Sequence, residues 1–134
     1  EMYTEQVLPH HRAFFEAGPR DVERGMHMCG DATRHFPTIV RELGVTSFDT
    51  GFPVDHGALR RELGPDVEIQ GGPEIALLHD GTPDQVYARA REILESGVTE
   101  GGRFVLCEGN NLPPGCPVEN LEAMYTACLE HGQL

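Results

Sequence analysis

The chain has 134 residues, with 10 basic and 22 acidic side chains, so its formal charge is −12. This charge argues against nucleic acid as a partner, because binding phosphates requires a basic surface. All of the basic residues are arginine, which excludes mechanisms that depend on a lysine Schiff base or a P-loop lysine. Four cysteines, no leader segment and no apolar run approaching the roughly 18 residues of a membrane span predict a cytoplasmic protein with free thiols and no membrane partner.

The first predicted element is a helix from about Glu5 to Ala17, where apolar residues recur at helical spacing before a stop at Gly18-Pro19. The run from Gly25 to Gly30 then alternates strictly and ends in glycine, which is typical of a strand followed by a loop. One helix is therefore expected ahead of the first strand.

The rest of the chain repeats a cycle of short strand, polar or glycine-rich loop, and helix. Two copies of Arg-Glu-Leu-Gly, at 41–44 and 61–64, mark equivalent helix ends. Asp55 is placed to cap one helix, and the capping box Thr82-Pro83-Asp84-Gln85 opens a long one. The cycle predicts strands over residues 46–49, 67–70 and 103–107, and helices over 37–43, 57–63, 83–96 and 117–131.

This order of elements predicts an α/β fold with a parallel sheet and helices on one face. Four consecutive βα units preceded by one helix are half of a TIM barrel, for which about 250 residues are typical. We expect a single domain over residues 1–134. A flavodoxin-like open sheet is the alternative, but it would not require polar residues at the strand ends.

The alternation of side chains along a strand assigns each one to a face. Met26 and Met28 are expected to pack on the helices, so His27 and Cys29 point inward. The same reasoning predicts an inner face that gathers His27, Cys29, Asp49, Glu68, Gln70, Val105 and Cys107. Because barrel active sites lie at the carboxyl ends of the strands, this cluster predicts a functional site. The alternative is a set of satisfied polar residues on a wet sheet face.

Histidine and cysteine at positions 27 and 29 have the spacing of two adjacent zinc ligands on one strand. Cys107 or Cys116 is the candidate for completing the site. Cys116 precedes Pro117 at the expected N-cap of the last helix, where the helix dipole favours a thiolate. A tolerated substitution at the cap is the alternative for Cys116.

Two loops are candidates for binding a substrate. The loop from Glu108 to Cys116 is rich in glycine and proline and offers Asn110 and Asn111 as hydrogen-bond partners. Gly71 and Gly72 allow a ligand to approach the backbone closely, although a tight turn explains them equally well.

Five short motifs resemble, in order and spacing, the carboxyl-terminal half of the uroporphyrinogen decarboxylase superfamily: His27-Met-Cys-Gly30, Ser47-Phe-Asp49, Gln70-Gly-Gly72, Gly81-Thr-Pro83 and Pro114-x-x-Pro-x-Glu-Asn120. The resemblance covers nearly the whole chain and implies a TIM barrel. It also implies one of two activities. The superfamily contains decarboxylases of porphyrin metabolism, which are lyases, and zinc-dependent methyltransferases that pass a methyl group from a corrinoid protein to a thiol.

The sequence His-x-Cys-Gly at His27 resembles the methyltransferase branch, in which this histidine and cysteine are zinc ligands. In that branch a third ligand cysteine lies in the loop after the last strand, where true decarboxylases have a histidine. That position falls on Asn110, so the third ligand would be Cys107 or Cys116. We expect Asp49 and Asn110 to be catalytic. The expected substrate-binding residues are Gln70, Gly71, Gly72, Glu108 and Asn111.

Three hypotheses follow. The first is a zinc-dependent methyltransferase that activates a small thiol substrate, with a corrinoid protein as methyl donor. The second is a porphyrinogen decarboxylase-like enzyme that uses Asp49 and polar loop residues without a metal. The third is a non-catalytic half-barrel subunit or fragment. Because a four-stranded parallel sheet leaves two edges and one face open, we expect a homodimer or pairing with an amino-terminal half-barrel.

Overall fold

The structure is a computed structural model that describes residues 2–132, so Glu1, Gln133 and Leu134 of the expected domain lie outside the described residues. A π-helical stretch, Tyr3–Val7, continues into the first α-helix. The regular elements that follow one another are α1 (Leu8–Ala17), β1 (Gly25–Met28), α2 (Phe36–Leu43), β2 (Ser47–Thr50), α3 (His56–Leu63), β3 (Glu68–Gly71), α4 (Ile75–Asp80), α5 (Pro83–Ile93), β4 (Phe104–Leu106) and α6 (Val118–His131). A short 3-10 helix, Thr33–His35, precedes α2, and a π-helical stretch, Leu94–Val98, follows α5.

The four strands form one sheet in the order β1-β2-β3-β4, and each neighbouring pair is parallel. This sequential order is that of consecutive units of a βα barrel, so the predicted fold class is confirmed. Phe48, Thr50 and Ile69 on one face are fully buried under the helices. Val105 on the opposite face is 45% exposed. The inner face of the half-barrel is therefore open to solvent.

The core lies between the sheet and its helices. Its strand residues are those that the alternation along each strand points towards the helices, away from the barrel axis. Phe36 of α2 stacks on Phe48 of β2 with ring centroids 4.4 Å apart, and both rings are buried. Truncating a buried phenylalanine costs about 3–5 kcal/mol, so this pair anchors the first helix-strand unit. The larger members of the same cluster are Phe36, Ile39, Leu43, Val45, Phe48, Leu59, Ile69 and Ile93.

The helix ends follow the local signals in the sequence. Gly44 ends α2 with φ 64°, a left-handed conformation that favours glycine, and Gly64 ends α3 with φ 78°. Asp55 caps α3 by accepting a hydrogen bond of 2.8 Å from the amide of Ala58. Thr82 and Gln85 form the predicted capping box at the start of α5. These caps set the ends of the helices that flank the site.

Arg60 of α3 organises the amino-terminal end of the sheet. Its side chain is 2% exposed, and it donates to the backbone carbonyls of Gly64, Val67, Val98 and Arg103 at 2.6–3.0 Å. The carbonyls of Val67 and Arg103 directly precede β3 and β4. Those of Gly64 and Val98 lie at the ends of α3 and of the π-helical stretch after α5. One guanidinium therefore ties together the loops at the end of the sheet opposite the predicted site.

Some boundaries differ from the sequence prediction. The long helix passes into the π-helical stretch after Ile93, where Gly97 has the positive φ of 89°. A separate short helix, α4, follows β3 and was not predicted. Pro117 is the N-cap of α6, so the prediction of Cys116 at that position is wrong by one residue. Within residues 2–132, no helix has the length and apolar character needed to cross a membrane.

Candidate functional site

Three predicted site residues lie side by side on the inner face of the sheet. The strand register pairs His27 of β1 with Asp49 of β2, and Asp49 with Gln70 of β3. The same row continues to Val105 of β4. Because residues in register share a face, this arrangement confirms the inward orientation predicted from alternation.

His27 lies between a carboxylate and a thiol. Its Nδ1 is 2.6 Å from Oδ2 of Asp49, and its Nε2 is 2.8 Å from Sγ of Cys29. A carboxylate oxygen accepts hydrogen bonds, so Nδ1 donates to Asp49 and the lone pair of Nε2 faces the cysteine. The His27 side chain is 45% exposed and that of Asp49 43% exposed. The imidazole of His27 and the thiol of Cys29 are thus accessible from the open inner face.

Cys107 directly follows β4, at the carboxyl ends of the strands. Its backbone amide donates to the carbonyl of Gly71 at 3.0 Å, and its thiol donates to the carbonyl of Glu108 at 3.4 Å. Burial raises the pKa of the Cys107 thiol to about 11, and the negative charges of Glu108 and Asp49 add to this effect.

The donor set near His27 fits a metal in part. Histidine and cysteine supply nitrogen and sulfur donors, and a carboxylate on the far ring nitrogen is the usual outer partner of a zinc-bound histidine. Among residues 2–132, however, no group of three histidine, cysteine, aspartate or glutamate side chains is arranged closely enough to hold a metal ion. The third ligand, Cys107 or Cys116, therefore stays a prediction.

Cys116 lies at the junction of α4 and α6. Its thiol donates to the carbonyl of Leu78 at 3.2 Å. Asn120, which is 1% exposed, donates to the same carbonyl and to that of Gly81, both at 2.9 Å. These contacts place Cys116 in the junction between α4 and α6. Asn120 thus satisfies two backbone carbonyls at the end of α4. The Pro-x-Glu-Asn motif gave no signal for this structural role.

Gln70 belongs to a hydrogen-bond network that the sequence analysis did not foresee. Its Nε2 donates to Oε1 of Glu68 at 2.8 Å, and the hydroxyl of Ser47 donates to the same oxygen at 3.1 Å. Glu68 and Ser47 are register partners on neighbouring strands. The alternation pattern placed Glu68 on the inner face but carried no signal for its role in holding Gln70.

The two glycines at the end of β3, Gly71 and Gly72, are both required by close packing. A side chain on Gly71 would overlap the hydroxyl of Thr50 and approach the His56 ring, both on the helix side of the sheet. A side chain on Gly72 would overlap the carbonyl oxygen of Cys107. A substrate-binding role for these glycines stays a prediction.

The loop after β4 contains the remaining predicted site residues. Glu108 and Asn110 are half-buried and Asn111 is exposed. The amide of Gly109 donates to the carbonyl of Pro73 at 3.0 Å, which ties this loop to the one after β3. The loop thus lies at the carboxyl ends of the strands, as predicted, and the roles of its side chains stay predictions.

The fold and the position of these groups define a class: half of a βα barrel with polar side chains gathered at the carboxyl ends of its strands, where barrel enzymes have their active sites. Comparison with known proteins identifies the family. The family model described as uroporphyrinogen decarboxylase (URO-D) matches residues 1–131, and the chain belongs to this family.

Individual relatives include methyltransferases and a decarboxylase. The chain is 37% identical over 133 residues to a methylated-thiol–coenzyme M methyltransferase of Methanosarcina mazei, covering 97% of this chain and 33% of that protein. It is 33% identical over 87 residues to a uroporphyrinogen decarboxylase of Pelodictyon phaeoclathratiforme, covering 63% of this chain and 24% of the relative. A methylcobamide:CoM methyltransferase of M. mazei is 26% identical over 125 residues, or 92% of this chain and 35% of that protein.

A solved structure supports the architecture. A methyltransferase from Methanosarcina mazei superposes with a TM-score of 0.77 at 20% identity, covering 98% of this chain and 37% of that one. At this identity the likeness establishes the fold, and the half-barrel prediction is confirmed. The chain spans about a third of the length of the methyltransferases it matches.

Proposed function

We propose that this chain is the metal-binding half of a zinc-dependent methyltransferase that activates a thiol substrate for methyl transfer from a corrinoid. The observation that carries the proposal is the arrangement of His27, which donates to Asp49 through Nδ1 and faces Cys29 with Nε2. Two of the three relatives described above are methyltransferases by name, which supports the same choice.

In this proposal each residue has a distinct task. His27 and Cys29 hold the metal, and Cys107, which directly follows β4 at the carboxyl ends of the strands, is the preferred third ligand. Asp49 is a positioning residue, because its hydrogen bond fixes the tautomer and orientation of the His27 ring. Zinc, when bound, lowers the pKa of a coordinated substrate thiol so that it is a thiolate near neutral pH.

The reaction then requires a simple exchange of bonds. The substrate thiol gives up its proton to solvent, and its sulfur attacks the methyl group of the donor. A sulfur–carbon bond forms while the bond between the methyl group and the donor breaks, and that electron pair remains on the donor. The open inner face, with Val105 45% exposed, leaves room for both reactants once the rest of the barrel is present.

Metal analysis of the purified protein tests this proposal. We expect stoichiometric zinc in the wild type and a loss of zinc affinity of more than about 100-fold in Cys29→Ser, because removing a ligand costs more than the 10–100-fold effect of changing an outer partner. Cys128→Ser, a change of the half-buried cysteine in α6, is the matched control and should retain zinc. Wild-type protein without stoichiometric zinc would contradict the proposal.

A porphyrinogen decarboxylase-like activity is the second candidate. The decarboxylase of P. phaeoclathratiforme among the relatives favours it, and so does the accessible carboxylate of Asp49, at 43% side-chain exposure. Asp49 and Asn110 would then act on the substrate without a metal. Turnover of a porphyrinogen that a chelator leaves unchanged would favour this candidate over the first.

The proposed partners follow from the open sheet. We propose a small-molecule substrate, a corrinoid protein as methyl donor, and either a homodimer or pairing with an amino-terminal half-barrel in the cytoplasm. Light scattering well above micromolar concentration tests the association, and a monodisperse monomer would count against it. The negative charge of −12 supports the exclusion of nucleic acid.

A further inference from the structure

A cavity of about 580 Å³ lies among the helices, between α3 and α5. Its walls come from the loop before α3, the first residue of α3, the residue before α4, and α5 with the π-helical stretch that follows it. These segments belong to the two middle βα units of the chain. The volume lies within the roughly 300–1,000 Å³ that small-molecule sites occupy. None of the walls belongs to the site around His27 on the inner face of the sheet.

His56, the first residue of α3, lies at the buried end of this cavity. It is 4% exposed, and neither ring nitrogen has a hydrogen-bond partner among residues 2–132. Burial, followed by the Arg89 guanidinium, lowers the pKa of the ring to about 4, so the imidazole is uncharged at neutral pH. One nitrogen of an uncharged imidazole donates a hydrogen bond and the other accepts one. A ligand that bonds to this ring would therefore satisfy a buried polar group that the protein leaves unpartnered.

Carboxylates outnumber cations around the cavity. Asp55, Glu74 and Glu92 line it, together with the guanidinium of Arg89. This guanidinium donates to Glu74 at 2.9 and 3.3 Å and to Glu92 at 2.9 Å, so two of the carboxylates already share its charge. The net charge of the wall is negative while His56 is uncharged. The cavity therefore attracts a positively charged ligand.

The rest of the wall adds an acceptor and an apolar surface. The hydroxyl of Ser96 donates to the carbonyl of Ile93 at 2.6 Å. Its one proton is thus engaged, and its oxygen can only accept a further hydrogen bond. Pro53, Val54 and Ile93 form the apolar part of the lining. A ligand that fits this wall carries hydrogen-bond donors at one end and hydrocarbon at the other.

We propose that the cavity between α3 and α5 is a binding site for a small organic amine, a ligand with a protonated ammonium group and an apolar body. The carboxylates of Glu74 and Glu92 supply the charge that pairs with the ammonium group. Val54 and Ile93 pack against the apolar body, and His56 supplies a polar contact at the buried end. The inference is independent of the proposed function, since no residue of this cavity belongs to the predicted metal or thiol site.

Three probes of similar shape test the proposal on the purified protein. Benzylamine, benzyl alcohol and benzoate carry an ammonium, a hydroxyl and a carboxylate group next to the same aromatic ring. Nuclear magnetic resonance follows the ring signals of His56, which are assigned by their loss in His56→Leu. At neutral pH we expect benzylamine to shift these signals and to bind about tenfold or more tightly than benzyl alcohol, because hydrogen bonds to charged groups contribute more than neutral ones. Benzoate is expected to leave the signals unchanged.

Two variants remove carboxylates from the wall. Glu74→Gln should lower the affinity for benzylamine about tenfold, since a charged hydrogen bond becomes a neutral one. Glu92→Gln, at a side chain that is 70% exposed, should lower it about two- to fivefold, as expected for an exposed ion pair. This second variant keeps the test valid if the loss of the Glu74–Arg89 pair disturbs folding. Glu62→Gln removes the same charge at an exposed position of α3 outside the cavity and is the matched control.

The measurements are made in about 0.15 M salt, at which exposed charges farther apart than about 8 Å are largely screened. Benzylamine that leaves the His56 signals unchanged, or that binds no more tightly than benzyl alcohol, would overturn the proposal. So would an equal loss of affinity in Glu62→Gln and in both wall variants, because the attraction would then reflect the overall charge of −12. Tighter binding of benzoate would overturn it as well and would assign recognition to Arg89. None of these results bears on the zinc analysis, which tests the proposed function separately.

Discussion

Asp49 accepts a hydrogen bond of 2.6 Å from Nδ1 of His27, its register partner on the neighbouring strand. The two side chains lie on consecutive strands, β1 and β2, which are connected through α2. The parallel pairing of these strands brings the side chains together. This contact sets which ring nitrogen of His27 is available to a metal.

Replacing Asp49 by asparagine tests this contact. Asp49→Asn should lower zinc affinity by about 10–100-fold, because an amide cannot replace the carboxylate that orients a metal-bound histidine. Competition with a chelator of known affinity measures the change. Asp66→Asn, an exposed position in the loop before β3, is the control and should bind zinc as the wild type does. Equal zinc affinities of the two variants would contradict the positioning role of Asp49.

Arg60 should dominate the stability of the opposite end of the sheet. Arg60→Leu leaves four loop carbonyls without their buried donor, so we expect a loss of about 3–5 kcal/mol in the free energy of unfolding. Arg61→Leu, at the adjacent exposed position, should change it by less than about 0.5 kcal/mol. Urea denaturation compares the two. Similar losses in both variants would contradict the role assigned to Arg60.

Stability should fall in mild acid because of His56. This residue is 4% exposed, and within residues 2–132 neither of its ring nitrogens has a hydrogen-bond partner. Burial, followed by the Arg89 guanidinium, lowers its pKa from 6.5 to about 4, against opposing effects of Glu74 and Asp55. A depressed pKa in the folded state means that the unfolded chain binds the proton first. The contribution of His56 to the free energy of unfolding is therefore fully present above pH 6.5 and is lost as the pH falls towards 4.

The loss attributable to His56 over this window is roughly 3 kcal/mol, since one pKa unit corresponds to about 1.4 kcal/mol. Urea denaturation between pH 7 and 4 measures it. His56→Leu should flatten the pH dependence by that amount, whereas His10→Leu, at an exposed position of α1, should not. An unchanged slope in His56→Leu would assign the acid sensitivity to other groups.

Gly72 should not tolerate a side chain. A methyl group there would overlap the carbonyl oxygen of Cys107, a backbone atom that moves only if the end of β4 moves. We expect Gly72→Ala to destabilise the protein by about 2 kcal/mol or more, the upper part of the range for overpacking. Gly18→Ala, where the nearest atom is 3.6 Å from the added carbon, should be neutral. Thermal unfolding of the two variants provides the comparison.

Local signals predicted most of the architecture because they act between residues close in sequence. The capping box at Thr82 and the glycine stops at Gly44 and Gly64 are short-range interactions, and the structure contains all three. The π-helical end of the long helix and the short helix α4 escaped prediction. Both depend on how neighbouring segments pack, which periodicity does not encode.

The sequence by itself determined which side chains share the inner face, since alternation along each strand is a local property. The motifs around His27 and Gln70 also indicated the family before any coordinates. Only the tertiary structure decided which residues meet across strands: Asp49 with His27, and Ser47 with Glu68. Register depends on hydrogen bonds between segments about twenty residues apart, and a shift by one residue would have separated both pairs.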